Sequence, residues 1–266
     1  MSTATIAVRS QPSSLAHNTR LYANEIKYEF LKTARNRMYS ISTISFPIVF
    51  YFLFGIANRH AMVGGISIAK YLLASYCCFG VIGASLFGIG VGFANERSQG
   101  WLEVKRASPM PALAYITAKL TSCIAFGWIV TAALIILGIM LGGVHLTALN
   151  MAALFALVTL GAIPFASMGL LIGLLTPANA APGIINLIYL PMSFCSGLWM
   201  PLQFLPHWLQ IVAPFLPAYH FGQMGFEIIG YGNSAAFMGH FYGLLGFTFV
   251  FLGLSWLLFN RTDARA

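Results

Sequence analysis

The chain has 266 residues, 59% of them hydrophobic and 8% charged, with a formal net charge of +8 and a mean hydropathy of +0.81. Ordinary soluble domains carry about 25% charged residues, and a chain this apolar would expose large greasy patches in water. The basic excess does not point to nucleic acid, because the basic residues flank apolar runs instead of forming one patch.

Residues 1–19 are rich in Ser, Thr and Ala, lack acids, and read as a flexible tail. They do not read as a secretory leader, since the first apolar run starts only near Ile41. From Asn18 to Met38 the pattern turns helical. Tyr22, Ile26, Phe30, Ala34 and Met38 recur every four residues, while Lys27, Lys32, Arg35 and Arg37 lie mostly off that line. This predicts an amphipathic basic helix suited to the membrane surface or a partner groove.

Span 1 is expected over 39–57, with Pro47 inside it, and a short loop with Arg59, His60 and Lys70 follows. Span 2 is expected over 71–94, where Gly88 and Gly92 form a Gly-x-x-x-Gly that permits close helix approach. Next comes a polar island, Asn95 to Lys119, holding Glu96 and Glu103 beside Arg97, Lys105, Arg106 and Lys119. Beyond it, no Asp, Glu, Lys or Arg occurs from Leu120 to Phe226. Each would cost roughly 2.5–3.5 kcal/mol at a bilayer centre. Spans 3, 4 and 5 are expected over 120–141, 151–175 and 183–199. Pro201, Pro206, Pro214 and Pro217 then break the pattern. Two short helices, about 206–213 and 217–229, are expected there, too short for about 30 Å of hydrocarbon and placed at the outer leaflet. Span 6 is expected over 237–259.

Six spans put both termini on one side with twelve basic residues, against Arg59 and Lys70 on the other. That bias makes the termini and the island cytoplasmic. The expected fold class is therefore an all-α integral membrane protein with six transmembrane helices. Residues 1–38 form a cytoplasmic tail and connecting helix, and 39–266 form one transmembrane domain.

No Gly-x-x-x-x-Gly-Lys-Ser/Thr phosphate loop and no Gly-x-Ser-x-Gly elbow occur. The histidines match no metal spacing. Cys77, Cys78, Cys123 and Cys195 fall in apolar runs without Cys-x-x-Cys. A proton- or ion-driven carrier usually holds ionisable residues inside the membrane, and spans 3 to 5 have none beyond the boundary Lys119. Energy must then come from a partner, with the island as its receiver. A secondary carrier or channel using Glu227, or a membrane-embedded transferase, are the rival readings.

Three stretches resemble the ABC-2 type family of ATP-binding-cassette transporter permeases. They are Glu96-Arg97 through Gly100-x-Leu102-Glu103, Ser108-Pro109, Tyr115 and Lys119; Leu205-Pro206-His207-Trp208-Leu209-Gln210 with Pro217-x-Tyr219; and the helix before span 1. Trp101 stands where relatives commonly have Thr. The resemblance implies a bacterial plasma-membrane exporter subunit without its own ATPase site. It implies a second permease chain, a cytoplasmic ATPase carrying ATP and Mg, and contact with membrane lipids. It implies a coupling helix containing Glu96, Arg97, Gly100, Trp101, Leu102, Glu103, Lys105, Arg106 and Pro109. It also implies a connecting helix using Tyr22, Ile26, Phe30, Arg35 and Arg37. The substrate path would run near spans 2 and 5, with Phe79, Phe87, Asn186, Tyr189, Ser193, Phe194 and Ser196 as candidates. Glu227, the lone acid in that apolar region, joins them. No cofactor or metal is expected on the chain itself.

Overall fold

A computed structural model describes residues 15–101, 104, 112–232 and 234–263. The first helix, α1 (Leu15–Arg35), ends at Asn36, whose side chain accepts the Tyr39 amide and so starts α2 (Arg37–Phe50) at a new angle. Wider π turns continue α2 over Tyr51–Ile56. The loop after span 1 holds a two-stranded hairpin that sequence reading did not expect. Strands β1 (Met62–Val63) and β2 (Ile66–Ser67) pair antiparallel, Met62 with Ser67 and Val63 with Ile66. Gly64 and Gly65 take φ of +51° and +85°, the left-handed values that a two-residue turn of this kind requires.

Ser67 then caps α3 (Ile68–Ser85) by accepting the Lys70 amide. This helix passes through π turns over Leu86–Val91 into α4 (Gly92–Ser98), making one rod over Ile68–Ser98. It is the central post. Every residue of α3 from Tyr71 to Ser85 is buried, and α2, α5 (Ala112–Met140), α6 (Ala148–Leu175) and α9 (Pro217–Ile228) all pack on it. A post wrapped by apolar helices needs no polar face, so its sequence is hydrophobic on all sides.

The π segment crosses α6 backbone to backbone. A Cβ on Gly173 would lie 2.6 Å from the Gly90 carbonyl oxygen, and one on Gly90 2.9 Å from that of Gly169. The close approach is thus made at Gly90. Gly88 instead makes room for the Tyr39 hydroxyl and the Cys123 sulfur, and a Cβ on Gly92 would meet the Lys119 amine in ordinary contact at 3.4 Å.

Among the described residues, five helices are long and apolar enough to cross a membrane: Arg37–Ile56, Ile68–Ser98, Leu113–Met140, Ala148–Leu175 and Phe237–Phe259. The chain is a multi-pass, helical membrane protein. The fifth expected span is shorter than its apolar run promised. Helix α7 (Ala181–Cys195) has 15 residues, about 22 Å, and the chain turns at Ser196–Trp199. Gly197, with φ of +80°, makes that turn, and its carbonyl receives the Tyr71 hydroxyl at 2.7 Å. Two short helices follow, α8 (His207–Val212) and α9, each opening at a proline. The last helix, α10 (Phe237–Asp263), packs on α6 and α9.

Candidate functional site: a groove ending in a buried ion cluster

A groove of about 1190 Å³ runs between α2 on one wall and α7 on the other, with α3 and its π segment as the floor. Small residues make this floor: Gly80, Gly83, Gly88 and Gly92 all line it. Phe79 and Glu96 mark its ends, seventeen residues apart on one rod, or about 25 Å.

At the Phe79 end, aromatic rings bridge the walls. Phe46 of α2 stacks on Phe79 with centroids 5.8 Å apart, and Phe79 stacks on Tyr189 of α7 at 4.6 Å. The Tyr189 hydroxyl donates to the Phe79 carbonyl at 2.8 Å, in space that Gly83 leaves open. Along the walls, Ser42 and Thr43 of α2 and Asn186 of α7 offer neutral polar groups between the rings and the charged end.

At the other end lies an ion cluster built by three elements. Lys119 of α5 is 4% exposed, Glu96 of α4 5% and Glu29 of α1 7%. The Lys119 Nζ donates to Glu29 Oε1 at 2.9 Å and to Glu96 Oε1 at 3.0 Å, and sits 5.1 Å from the Tyr115 ring centroid. The ammonium's hydrogens thus have two carboxylates and a π face. Lys32 closes the cluster from outside, bonding Glu96 and lying 3.6 Å from Glu29. The Tyr115 hydroxyl donates to the other Glu96 oxygen. Full pairing is what permits charges here, because an unpaired buried charge is strongly destabilising.

The neighbouring residue, Arg97, points elsewhere. Its guanidinium donates to the Leu174 carbonyl and, at 2.8 Å, to that of Thr176, the open C-terminal carbonyls of α6. Glu96 and Arg97 therefore tie α4 to α1, α5 and α6. Gly100 follows with φ of +73°, and Trp101, 52% exposed, lies at the groove's mouth. Leu102, Glu103, Lys105, Arg106 and Pro109 lie outside the described residues.

In α1, Tyr22, Ile26 and Phe30 are half-buried on a helix that packs along α5, the Phe30 ring meeting Phe126 at 5.8 Å. Arg35 and Arg37 are exposed. Phe79, Phe87, Asn186 and Tyr189 line the groove. Ser193 and Ser196 are fully buried, and Phe194 faces Trp199 at 6.3 Å; none of the three lines the groove. Glu227 sits near the end of α9, away from the groove, where burial raises its carboxyl above the usual range. Sequence reading missed Glu29 and Lys32 as members of the cluster. The signal was present: Glu25 and Glu29 fall three residues after Tyr22 and Ile26, on the helix's apolar stripe. An acid on a buried stripe needs a buried cation.

The profile of the ABC-2 type transporter family matches residues 24–230, from α1 through the end of α9. The chain belongs to the ABC-2 type transporter family. It is 29% identical over 206 residues to the Bacillus subtilis (strain 168) protein named "Putative transport permease YvfS", covering 77% of this chain and 84% of that one. This ABC-2 permease is thus a transport subunit of the kind that lacks its own ATPase, and membership implies an ATPase partner. The matched segment includes the groove and all five members of the cluster.

Proposed function

We propose that this permease is the membrane subunit of an ATP-driven exporter that moves an amphipathic drug, lipid or glycan out of the cytoplasm or inner leaflet. It works as a homodimer with separate ATPase chains in a bacterial plasma membrane. Its six spans, counting α7, leave both termini cytoplasmic, and ATP and Mg are held by the partner.

The groove carries this reading. Beyond a mouth whose charges are paired within the chain, it offers neutral polar walls and an aromatic end, so it matches a ligand with a polar head and an apolar body. Its mouth is formed by α1 and α4, and α4 holds Glu96 and Arg97, the first residues of the coupling stretch that runs to Pro109. Exposed Lys27, Arg35 and Arg37 suit an anionic inner leaflet at about 1 kcal/mol per basic residue. The test is co-expression with the ATPase encoded beside it, followed by reconstitution. Co-purification and ATP-dependent accumulation of a fluorescent amphiphile in inverted vesicles are expected. A folded permease that brings down no ATPase, or moves the amphiphile equally without ATP, sinks the proposal.

A further inference from the structure

Three candidates stand out away from the substrate groove's aromatic end: the ion cluster, the His220–His240 pair between α9 and α10, and the crossing of the π segment over α6. The cluster reaches furthest, because it lines the groove's mouth and takes Glu96, Tyr115 and Lys119 from the island itself.

We infer that Lys119 is a positioning residue, holding α1 and α4 on α5 through Glu29 and Glu96 so that displacement of α4 moves the groove's mouth. This rests on the exporter reading above for the source of the displacement. Geometry supplies the rest. Lys119 Nζ touches both carboxylates at about hydrogen-bond length, 2.9 and 3.0 Å. Glu29, Glu96, Lys32 and Lys119 all line the groove. Arg97, one residue on, grips the C-terminus of α6. Load entering α4 therefore has two exits, one into α1 and α5 and one into α6. Buried paired charges resist sliding, because any partial separation leaves a charge unpaired. A greasy contact of equal area would yield gradually. The cluster thus moves its three elements as one body, or breaks as one.

Glu96 and Arg97 then act through the permease's own elements, and docking of a partner falls to the residues from Trp101 onward.

The experiment uses the permease–ATPase complex in nanodiscs. Spin labels go on Met38 of α2 and Asn186 of α7, both groove-lining, after Cys195→Ser. The Met38–Asn186 distance is read without nucleotide and with ATP and vanadate. Wild type shifts on trapping. The neutral triple variant Glu29→Gln, Glu96→Gln, Lys119→Met still binds the ATPase and hydrolyses ATP, but its shift shrinks at least threefold. Lys119→Arg retains the shift. A full shift in the triple variant overturns the inference, since a merely structural cluster would change stability and leave coupling intact. Should the triple variant not be recovered, Glu29→Gln leaves Lys119 paired with Glu96 and is read alone: at least a twofold smaller shift supports the joint, and a full shift overturns it. If wild type binds no ATPase, the exporter reading fails by itself. The joint is then decided on the permease alone, where loss of the cluster at least doubles the width of the distance distribution. An unchanged width overturns it.

Discussion

Gly173→Ala tests the tightest approach of a glycine to backbone among the described residues. The added methyl would lie 2.6 Å from the Gly90 carbonyl oxygen and 3.4 Å from its carbonyl carbon, where ordinary contact begins at 3.4 Å. The oxygen contact is short by about 0.8 Å, and it is backbone, so no rotamer change relieves it. Either α6 or the π segment must move. Overpacking of this kind costs about 1–3 kcal/mol, which lowers the melting temperature of a chain this size by about 2–12 °C. Gly246→Ala is the control, because nothing lies within 4 Å of its Cβ position. In a helix interior that change stabilises by about 0.5–1 kcal/mol through the unfolded chain. Thermal unfolding in detergent should separate the two variants in opposite directions. Equal melting temperatures for Gly173→Ala and wild type would refute the backbone crossing at Gly90.

Lys119→Met alone leaves two carboxylates buried beside Lys32 and should cost about 3–5 kcal/mol, whereas adding Glu29→Gln and Glu96→Gln should recover most of it; equal stability of the single and triple variants would contradict the pairing. Tyr39→Phe removes the 2.8 Å bond to the Ala84 carbonyl, at the entry to the π turns, and should cost about 0.5–1.5 kcal/mol by denaturant titration. His220 donates its Nε2 hydrogen to the Pro214 carbonyl at 2.9 Å, so its Nδ1 accepts from His240 at 3.0 Å, with Tyr219 against both rings. Burial lowers the His220 pKa below 6.5, the Pro214 bond opposing it. The folded state thus favours neutral His220. Its contribution is complete above the ordinary histidine value and is lost as pH falls through the lowered one. Melting temperature should drop from pH 7.5 to pH 5, and the drop should flatten in His220→Leu with His240→Leu; identical slopes would remove the pair from the account.

The membrane class and the positions of five long apolar helices were legible because hydrocarbon thickness sets the length of an apolar run. The two short helices after α7 were legible from Pro206 and Pro217. The end of α7 was not, since Ser196 to Trp199 is as apolar as the helix before it, and only Gly197's backbone marks the turn. The hairpin was readable from Gly64-Gly65, but two-residue strands leave no periodicity to find. In the site, Phe79 and Tyr189 line the groove, and the family resemblance, not composition or periodicity, singled out the two spans that carry them. The cluster escaped because Glu29 and Lys119 lie 90 residues apart. The apolar stripe of α1 read as a face for the membrane surface or a partner groove. In the fold, α1 packs along α5, and that contact turns an acid on the stripe into the partner of Lys119.

Two kinds of residue share the groove, and physics separates them. The charged end holds groups whose pairing is complete within the chain, so a ligand arriving there finds few free charges to recruit. The aromatic end presents ring faces and neutral hydrogen-bonding groups, which can bind without breaking anything that holds the helices together. On the exporter reading proposed above, selection of cargo falls to Phe46, Phe79, Tyr189 and Asn186, and transmission to Glu29, Glu96, Arg97 and Lys119. In the proposed exporter the two ends lie about 25 Å apart on one rod. Substitutions at the first set should alter which amphiphile is moved at a normal ATP cost. Substitutions at the second should waste ATP on every amphiphile alike. A change at Tyr189 that uncoupled all cargo, or one at Lys119 that altered preference among them, would show that the rod does not separate the two tasks.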